Sequence, residues 1–271
     1  MPPGSVVVGG GRLGKALSAA LGLAGSPPIL VAGRTAAADP AAVLKAVPGA
    51  GPGAVVLLAV PDRALAALAA GLADAGPRFP PGTAFLHHSG ALGVDVLAPL
   101  AARGASLGSC HPLQSFPGTA SDPGRFEGIF FAVDGDGRGL EMATLLARAL
   151  GGRPVSIAAG ARALYHLGAS LGANGLTGLV AASRDALVAA GLSADEALAA
   201  LAPLLRGALE EALRLGPEGA LTGPAARGDD ETLAMHRRAL LGWDASRTAL
   251  FEALLREQRR LSPGEGRGGR C

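Results

Sequence analysis

The chain has 271 residues, which is long enough for one large domain or two ordinary ones. Its 24 basic and 22 acidic residues leave a formal net charge of +2, so the composition argues against nucleic-acid and membrane partners. Apolar runs end before they reach the roughly 20 residues of a bilayer span, and a core strand begins too early for a signal peptide. We therefore expect a soluble, cytoplasmic protein.

The first predicted strand, at residues 6–8, runs into glycines spaced Gly-x-Gly-x-x-Gly, and a helix-forming Ala/Leu segment follows. This order is typical of a dinucleotide-binding fingerprint, although an ordinary turn is the alternative in a chain with 42 glycines. Gly9 permits the tight turn, Gly11 lets the backbone approach a pyrophosphate, and Gly14 lets the helix pack on the strand. Free N–H groups in the first helical turn favour phosphates, so Arg12 and Leu13 complete the predicted cofactor contact.

The second predicted strand, at residues 29–32, is followed by Arg34 and Thr35. Arg34 stands 20 residues after Gly14 (34 − 14), where an NAD-selective site usually has a carboxylate for the ribose 2′-OH. A guanidinium pairs instead with a 2′-phosphate, and the Thr35 hydroxyl could add a donor. The sequence therefore predicts NADP(H) as the cofactor, with a solvated arginine at a strand end as the alternative.

Strands and helices alternate up to about residue 158. Further strands are predicted at 54–60, 83–88, 105–110, 129–133 and 154–157, and helices near 39–47, 94–103 and 140–150. Val60 and Pro61 follow one strand at the place where open α/β sheets bind ligands, so they are also predicted cofactor contacts. The alternation predicts an α/β Rossmann domain over residues 1–158, with a doubly wound, mainly parallel sheet.

The pattern after residue 158 is helical. Helices are predicted at 159–190, 194–215, 230–241 and 246–260. They predict an all-α domain over residues 159–261, followed by a disordered Gly/Arg-rich tail at 262–271.

The first of these helices carries a polar stripe. His166, Ser170 and Asn174 recur at i, i+4 and i+8, so they share one face of a mostly apolar helix. Buried polar groups need partners, and we expect this face to meet the nicotinamide. A solvent-facing stripe or a hydrogen-bonded seam between helices is the alternative.

Two histidine-containing segments follow predicted strands. One holds His88, Ser89 and Gly90, and the other holds His111. At the carboxyl ends of parallel strands they could supply general acid/base chemistry near neutral pH, although each histidine could simply hydrogen-bond the end of its strand. We expect no metal site, because no carboxylate joins these histidines at ligand spacing and the two cysteines form no cluster.

A turn-rich segment, residues 221–229, interrupts the helical half. Its Arg227 is a candidate for binding a substrate carboxylate, since a guanidinium holds that group in a two-pronged fit. Pairing of Arg227 with Asp229 or Asp230, to fix the loop, is the alternative.

Several motifs together resemble a known group of oxidoreductases. They are Gly-Arg-Leu-Gly at 11–14, Ala-Val-Pro-Asp at 59–62, His-x-Ser-Gly-Ala-Leu-Gly at 87–93, His-Pro-Leu-Gln-Ser-Phe at 111–116 and Leu-Thr-Gly-Pro-x-x-Arg-Gly-Asp at 221–229. The chain resembles the superfamily of 6-phosphogluconate and 3-hydroxyisobutyrate dehydrogenases, ketopantoate reductase, pyrroline-5-carboxylate reductase and prephenate dehydrogenase. Within it, the motifs resemble a family with a Rossmann-like domain and a C-terminal domain of unassigned function. This resemblance implies a homodimer formed through the helical domain.

The resemblance also implies roles for individual residues. Ser89 and His111 resemble the serine and histidine of prephenate dehydrogenases, in which the histidine assists oxidation of the substrate hydroxyl. Ser170 and Asn174 occupy the place of Lys-x-x-x-Asn in ketopantoate reductases and hydroxyacid dehydrogenases. The asparagine fits that pattern, whereas no lysine follows Lys45. A proton for a carbonyl would therefore come from one of the histidines, or from water held by the serine.

Three functional hypotheses follow. The first is an NADPH-dependent oxidoreductase of a small, ketopantoate-like 2-oxo or 2-hydroxy acid, the second a reductase of a cyclic imine, and the third a non-catalytic NADP-binding protein. In the first, the predicted catalytic residues are His111, Asn174, Ser89, His166 and Ser170. The predicted substrate contacts are His88, Gly90 and Arg227.

Overall fold

The computed structural model describes residues 4–31, 39–120, 122–158 and 160–261. The chain forms two compact units that divide between Asn174 and Gly175. The boundary predicted near residue 158 lies before the helix predicted at 159–190, whereas the units divide within that segment. The predicted 2′-phosphate contacts Arg34 and Thr35 and the predicted tail at 262–271 lie outside the described residues.

The first unit is built on a seven-stranded sheet. Its strands are β1 (Ser5–Val8), β2 (Ile29–Val31), β3 (Val55–Leu58), β4 (Ala84–His87), β5 (Ser106–Pro112), β6 (Phe130–Gly135) and β7 (Arg153–Ser156). They lie in the order β2-β1-β3-β4-β5-β6-β7, and every neighbouring pair is parallel except β5 and β6. The predicted mainly parallel sheet is confirmed.

Helices cover both faces of this sheet. They are α1 (Arg12–Leu23), α2 (Pro40–Gly49), α3 (Asp62–Ala75), α4 (Ala98–Ala101) and α5 (Gly137–Ala149), with 3-10 turns at Val94–Leu97 and Asp122–Phe126. Successive strand residues point to opposite faces, so Val56 packs in one core with α2 and α3 while Leu57 packs in the other with α1 and α5. Burial on both faces explains why these strands read as continuous apolar runs.

The polar-striped segment is helical from Arg162 to Ala189, close to the helix predicted at 159–190, and a π-helical turn lies inside it. α6 (Arg162–Ser170) belongs to the first unit, a π-helical turn (Leu171–Gly175) follows, and α7 (Leu176–Ala189) opens the second unit. A π-turn widens the helix by one residue and is often found at functional sites.

The second unit is helical throughout its described residues, as predicted. After α7 it contains α8 (Ala194–Leu215), α9 (Pro217–Ala220), α10 (Pro224–Arg227), α11 (Asp230–Trp243) and α12 (Thr248–Leu261). A reciprocal capping box between Ser193 and Glu196 begins α8, because the two side chains satisfy each other's backbone N–H groups. Among the described helices, none has the length and apolar character needed to cross a membrane.

Candidate active site

Four parallel strands end at one edge of the sheet. Val8, Leu58, His87 and Ser109 pair across β1, β3, β4 and β5, so the residues that follow them lie side by side. β1 lies between β2 and β3 in the sheet. The helix that follows β1, α1, and the helix that follows β3, α3, pack on opposite faces of the sheet. Open α/β sheets bind ligands at such a switch point, beyond the carboxyl ends of the strands.

The three fingerprint glycines have the geometry that a dinucleotide requires. Gly9 has a φ of +119°, and a Cβ there would overlap the Ala59 carbonyl oxygen. A Cβ on Gly14 would overlap the carbonyl oxygen of Gly9, so α1 packs directly on the turn. Gly11 is the N-cap of α1, without a side-chain cap, and a Cβ on it would meet no atom within 4 Å. The open space and unpaired N–H groups at this helix start fit a pyrophosphate.

The other predicted cofactor contacts that the structure describes lie at the end of β3 and at the start of α1, next to the glycine turn. Val60 is half-buried after β3, and the exposed Pro61 is the N-cap of α3. Arg12 is exposed, Leu13 is half-buried, and the loop after β5 folds back to Arg12, whose Cγ lies 3.3 Å from the position of a Cβ on Gly118. The loop that follows β5 therefore reaches the start of α1, next to the glycine turn.

Two buried histidines are fixed by backbone partners. His87 Nε2 donates to the Gly93 carbonyl over 3.1 Å, and its Nδ1 accepts the Ser89 N–H over 3.2 Å. His88 Nδ1 donates to the Cys110 carbonyl over 2.5 Å, and its Nε2 has no partner among the described residues. Burial lowers the pKa of His87 to about 3 and that of His88 to about 4, so both imidazoles are neutral at pH 7.

The Ser89 hydroxyl makes three hydrogen bonds to neighbouring protein groups. It donates to the Asp62 carboxylate at the start of α3 over 2.7 Å, and it accepts the N–H groups of Ala91 and Leu92 over 3.2 and 3.0 Å. These bonds shape the turn after β4, so Ser89 holds the loop rather than presenting a free hydroxyl.

A cavity of about 620 Å³ lies beside this edge, within the first unit. His111, at the end of β5, faces Tyr165, His166, Ser170 and Asn174 across it. The structure therefore gathers the predicted polar stripe with His111. Asn174 is in the π-turn, and its Nδ2 donates to the Ser170 hydroxyl over 3.3 Å.

His111 is held from two sides. Its Nδ1 lies 2.9 Å from the Tyr165 hydroxyl, and its ring centroid is 6.1 Å from that of His166. Gly90 packs against both imidazoles, because a Cβ on it would lie 2.8 Å from His111 Nε2 and 2.7 Å from His166 Cδ2. Burial lowers the pKa of His111 to about 4, with further contributions from His166, His88 and Arg162.

Arg162 is a buried cation that the sequence reading missed. It opens α6 and donates to the Ser89 carbonyl over 3.3 Å and to the Ser109 hydroxyl, while its Nε lies 3.8 Å from the Asp134 carboxylate. Burial lowers its pKa, and Asp134 opposes that shift. Arg162 therefore ties the first turn of α6 to β4, β5 and β6.

Helical spacing was the signal that could have found both missed residues. Arg162 lies four residues before His166, so the polar stripe extends back along α6, and Tyr165 lies three residues after Arg162. Tyr165 is also the single tyrosine of the chain.

Arg227 lies in the second unit, at the end of α10. It is exposed and forms no ion pair among the described residues. Asp229 instead caps α11 by accepting the Thr232 N–H over 3.0 Å, and Asp230 contacts Arg259 over 2.8 Å. Hydrogen bonds from Thr232 lower the pKa of Asp229, and the positive charge of Arg227 lowers it further, so Arg227 acts on this aspartate without a direct ion pair.

Two further observations concern the side chains that could bind a metal ion. Among the described residues, no group of three or more His, Cys, Asp or Glu side chains could hold a metal ion. Cys110 is a buried free thiol that donates to the Ala143 carbonyl, and burial raises its pKa.

These features define a two-part protein with a Rossmann-type nucleotide fold and a helical C-terminal region. Residues 4–112 match the family described as Rossmann-like domain, and residues 129–258 match Domain of unknown function (DUF2520). The chain therefore combines a Rossmann-like domain with a DUF2520 domain, which confirms the resemblance inferred from its motifs. None of the curated proteins matches the chain.

Solved structures share this fold over almost the whole chain. Protein TM1727 from Thermotoga maritima has a TM-score of 0.68 and 22% identity, covering 95% of this chain and 98% of that one. An imine reductase from Aspergillus terreus in complex with NADPH4 has a TM-score of 0.62 and 20% identity, covering 100% of this chain and 97% of that one. Plasmodium falciparum pyrroline carboxylate reductase with NADP bound has a TM-score of 0.58 and 12% identity, covering 96% of this chain and 99% of that one. At these identities the likeness establishes the fold.

Replacing His88 with asparagine tests whether this buried imidazole makes the stability of the fold depend on pH. The pKa of His88 falls from 6.5 to about 4 on folding, so the unfolded chain binds more protons between these pH values and stability decreases as the pH falls through them. This histidine accounts for about 2 kcal/mol of the stability lost between pH 8 and pH 5. His88→Asn keeps an N–H donor for the Cys110 carbonyl, and should reduce that loss by about this amount in urea unfolding.

The matched control is His236→Asn, which removes an exposed imidazole from α11. This variant measures what the loss of an imidazole outside the core does to the same pH dependence. Equal pH dependence in His88→Asn and the wild type would contradict the assignment of His88 as a buried neutral group.

Proposed function

We propose that this protein is an NADP(H)-dependent oxidoreductase that transfers hydride to or from a small 2-oxo or 2-hydroxy acid, with ketopantoate-like compounds as the leading class. One observation carries the proposal. The sheet edge that bears the glycine-lined crevice also bears His111 and its cavity. A dinucleotide held by its phosphates at Gly11 would place its reactive end along this edge.

The cofactor assignment rests on the crevice and on the structural relatives. Gly9, Gly11 and Gly14 fit a pyrophosphate, and relatives with the same fold contain NADP or NADPH4. Arg34 and Thr35 supply the proposed contacts with the 2′-phosphate. When bound, the reduced cofactor would supply the hydride.

The residues of the cavity suit a carbonyl or alcohol oxygen. His111 would give a hydrogen bond or proton to that oxygen, with His166 as the second candidate, and the Asn174 amide would orient it. The Ser170 hydroxyl accepts a hydrogen bond from the Asn174 side chain. Gly90 has no Cβ, so both imidazoles can pack against its backbone. Ser89 would act through the loop it shapes.

The proposed substrate class follows from the charges around the cavity. Among the described residues, those that line the cavity supply imidazole, amide and hydroxyl groups and no carboxylate. Such a lining favours an anionic or neutral oxygen compound over a cationic iminium, which a carboxylate would stabilise. Arg227 remains the proposed partner of the substrate carboxylate, in its own subunit or in another one.

A second candidate function is reduction of a cyclic imine. The likeness to the imine reductase and to pyrroline carboxylate reductase favours it. In that case the same histidine would face a nitrogen, and Arg227 would serve only a substrate that also carries a carboxylate.

Paired glycine variants test the nucleotide crevice. A Cβ meets no atom within 4 Å at either Gly11 or Gly22, so both alanine variants should fold. Gly11→Ala places a methyl group where the pyrophosphate would approach, and should weaken NADP binding in calorimetry by about tenfold or more, equivalent to about 1.4 kcal/mol. Gly22→Ala, at the far end of the same helix, should bind NADP like the wild type.

The same titrations test cofactor choice. NADP should bind more tightly than NAD, and Arg34→Ala should remove most of the difference. A preference for NAD that survives Arg34→Ala would refute the assignment.

Turnover tests the reaction itself. Purified protein with NADPH should lose reduced-nicotinamide absorbance with a member of a panel of 2-oxo acids and cyclic imines. His111→Ala and Asn174→Ala should then each lower kcat by about 10²-fold or more, because they act on charge that develops in the transition state. Gly22→Ala serves again as the folded control. Tight NADPH binding without turnover on the whole panel would favour the non-catalytic hypothesis.

We also propose that the protein is a homodimer formed through its helical unit. This unit exposes many large apolar side chains, and an apolar groove of about 490 Å³ runs between α7, α11 and α12. Leu204 and Leu213 of α8 are 66% and 79% exposed. Sedimentation equilibrium should show a dimer that Leu213→Glu weakens, and a wild-type monomer at micromolar concentration would contradict the proposal.

A further inference from the structure

The hydrogen bond between Tyr165 and His111 determines what His111 can do. The two atoms, Tyr165 Oη and His111 Nδ1, lie 2.9 Å apart. A neutral imidazole carries one proton, and the partner of one ring nitrogen decides which nitrogen keeps it. If the phenol donates to Nδ1, the proton stays on Nε2 and His111 is a donor from that nitrogen. If the phenol accepts, Nε2 has only a lone pair.

The surroundings favour the phenol as the donor. Burial raises the pKa of Tyr165 to about 12, so the hydroxyl keeps its proton at every working pH. Arg162 lies one turn earlier on the same helix, and its positive charge acts on the phenol. A cation favours the O–H orientation that turns the oxygen towards it and the hydrogen away. Among the described residues, His111 is the hydrogen-bond partner found for this hydroxyl.

The groups around His111 also keep it neutral. Charged or titratable side chains reach it from two sides, His87 and His88 from β4 and its following loop, and Arg162, Tyr165 and His166 from α6. None of these five side chains is an acid that is ionised at pH 7, and burial lowers the pKa of His111 to about 4. An imidazolium is therefore disfavoured at this position.

We infer that Tyr165 is a positioning residue that holds His111 as the neutral tautomer with its proton on Nε2. This inference rests on the proposed reductase function and deepens it. His111 then stabilises the developing substrate oxyanion as a neutral N–H donor, and it is not a cationic acid of the usual histidine type. Gly90 belongs to the same arrangement, because a side chain there would press on Nε2 itself.

The proton balance of a complete reduction follows from this arrangement. The Nε2–H group of His111 donates a hydrogen bond to the developing oxyanion and keeps its proton. Solvent water supplies the proton that forms the alcohol O–H, and the hydroxide that remains is neutralised by the buffer. The imidazole and the Tyr165 phenol therefore both keep their protons throughout.

Nitrogen-15 NMR of the histidine side chains tests the tautomer without substrate or nucleotide. In the wild-type protein at pH 7, His111 should show a protonated Nε2 and an unprotonated Nδ1. In Tyr165→Phe, the loss of a donor to Nδ1 should give a mixture of tautomers and raise the pKa of His111. A wild-type His111 protonated on Nδ1, or signals that Tyr165→Phe leaves unchanged, would overturn the inference.

His87 and His88 provide internal controls in the same spectra. Backbone groups fix their tautomers, with the proton on Nε2 of His87 and on Nδ1 of His88. These signals should not change in Tyr165→Phe. If they move together with those of His111, the variant has loosened the whole sheet edge, and the wild-type spectrum alone decides the question.

Kinetics separates this inference from the proposed function. With an active substrate, Tyr165→Phe should lower kcat by about 10- to 100-fold with little change in KM, and should move the acidic limb of the pH profile upwards. A wild-type protein that never oxidises NADPH would defeat the proposed function while the NMR result stands. An active enzyme with the Nδ1-protonated tautomer would defeat only the role given to Tyr165.

Discussion

A buried guanidinium holds the two sides of the candidate active site together. Arg162 begins α6, and its bonds reach the Ser89 carbonyl after β4 and the Ser109 hydroxyl on β5. Placing a charge in this position carries a large desolvation cost, which hydrogen bonds and the nearby Asp134 carboxylate offset. Because α6 carries Tyr165 and the polar stripe, the shape of the cavity depends on this one attachment.

The same charge gives the site its chemical character. Arg162 lies among three buried or half-buried histidines and opposes the protonation of His87 and His111. Histidines usually exchange protons near neutral pH, whereas these are held neutral by burial. A neutral imidazole whose proton is placed by a neighbour acts as a fixed dipole, and fixed dipoles stabilise developing charge without reorganising. The cavity is therefore suited to an oxyanion.

The sheet provides the alignment that connects this chemistry to a nucleotide. Parallel strands bring their carboxyl ends to one edge, so segments far apart in sequence, such as those of Gly9 and His111, lie along the same line. The loop after β5 strengthens the connection, because Gly118 packs against Arg12 at the start of α1. This shared edge places the glycine turn and the polar cavity on one line, as the proposed reaction requires.

The sequence by itself determined the parallel sheet, the glycine turn, the helical second half and the polar face of His166, Ser170 and Asn174. These features are local, since they follow from periodicities and from glycines that permit a turn or a close approach. Only the tertiary structure decided which histidines line the cavity, that the Ser89 hydroxyl donates to Asp62, and that Tyr165 and Arg162 belong to the site. Those facts depend on contacts between residues that are distant in sequence. His111 and Tyr165 are 54 residues apart, and Ser89 and Arg162 are 73 residues apart. Helical spacing places Arg162 and Tyr165 beside the polar stripe of α6, but it does not give their partners, because packing of α6 on the sheet brings those partners together.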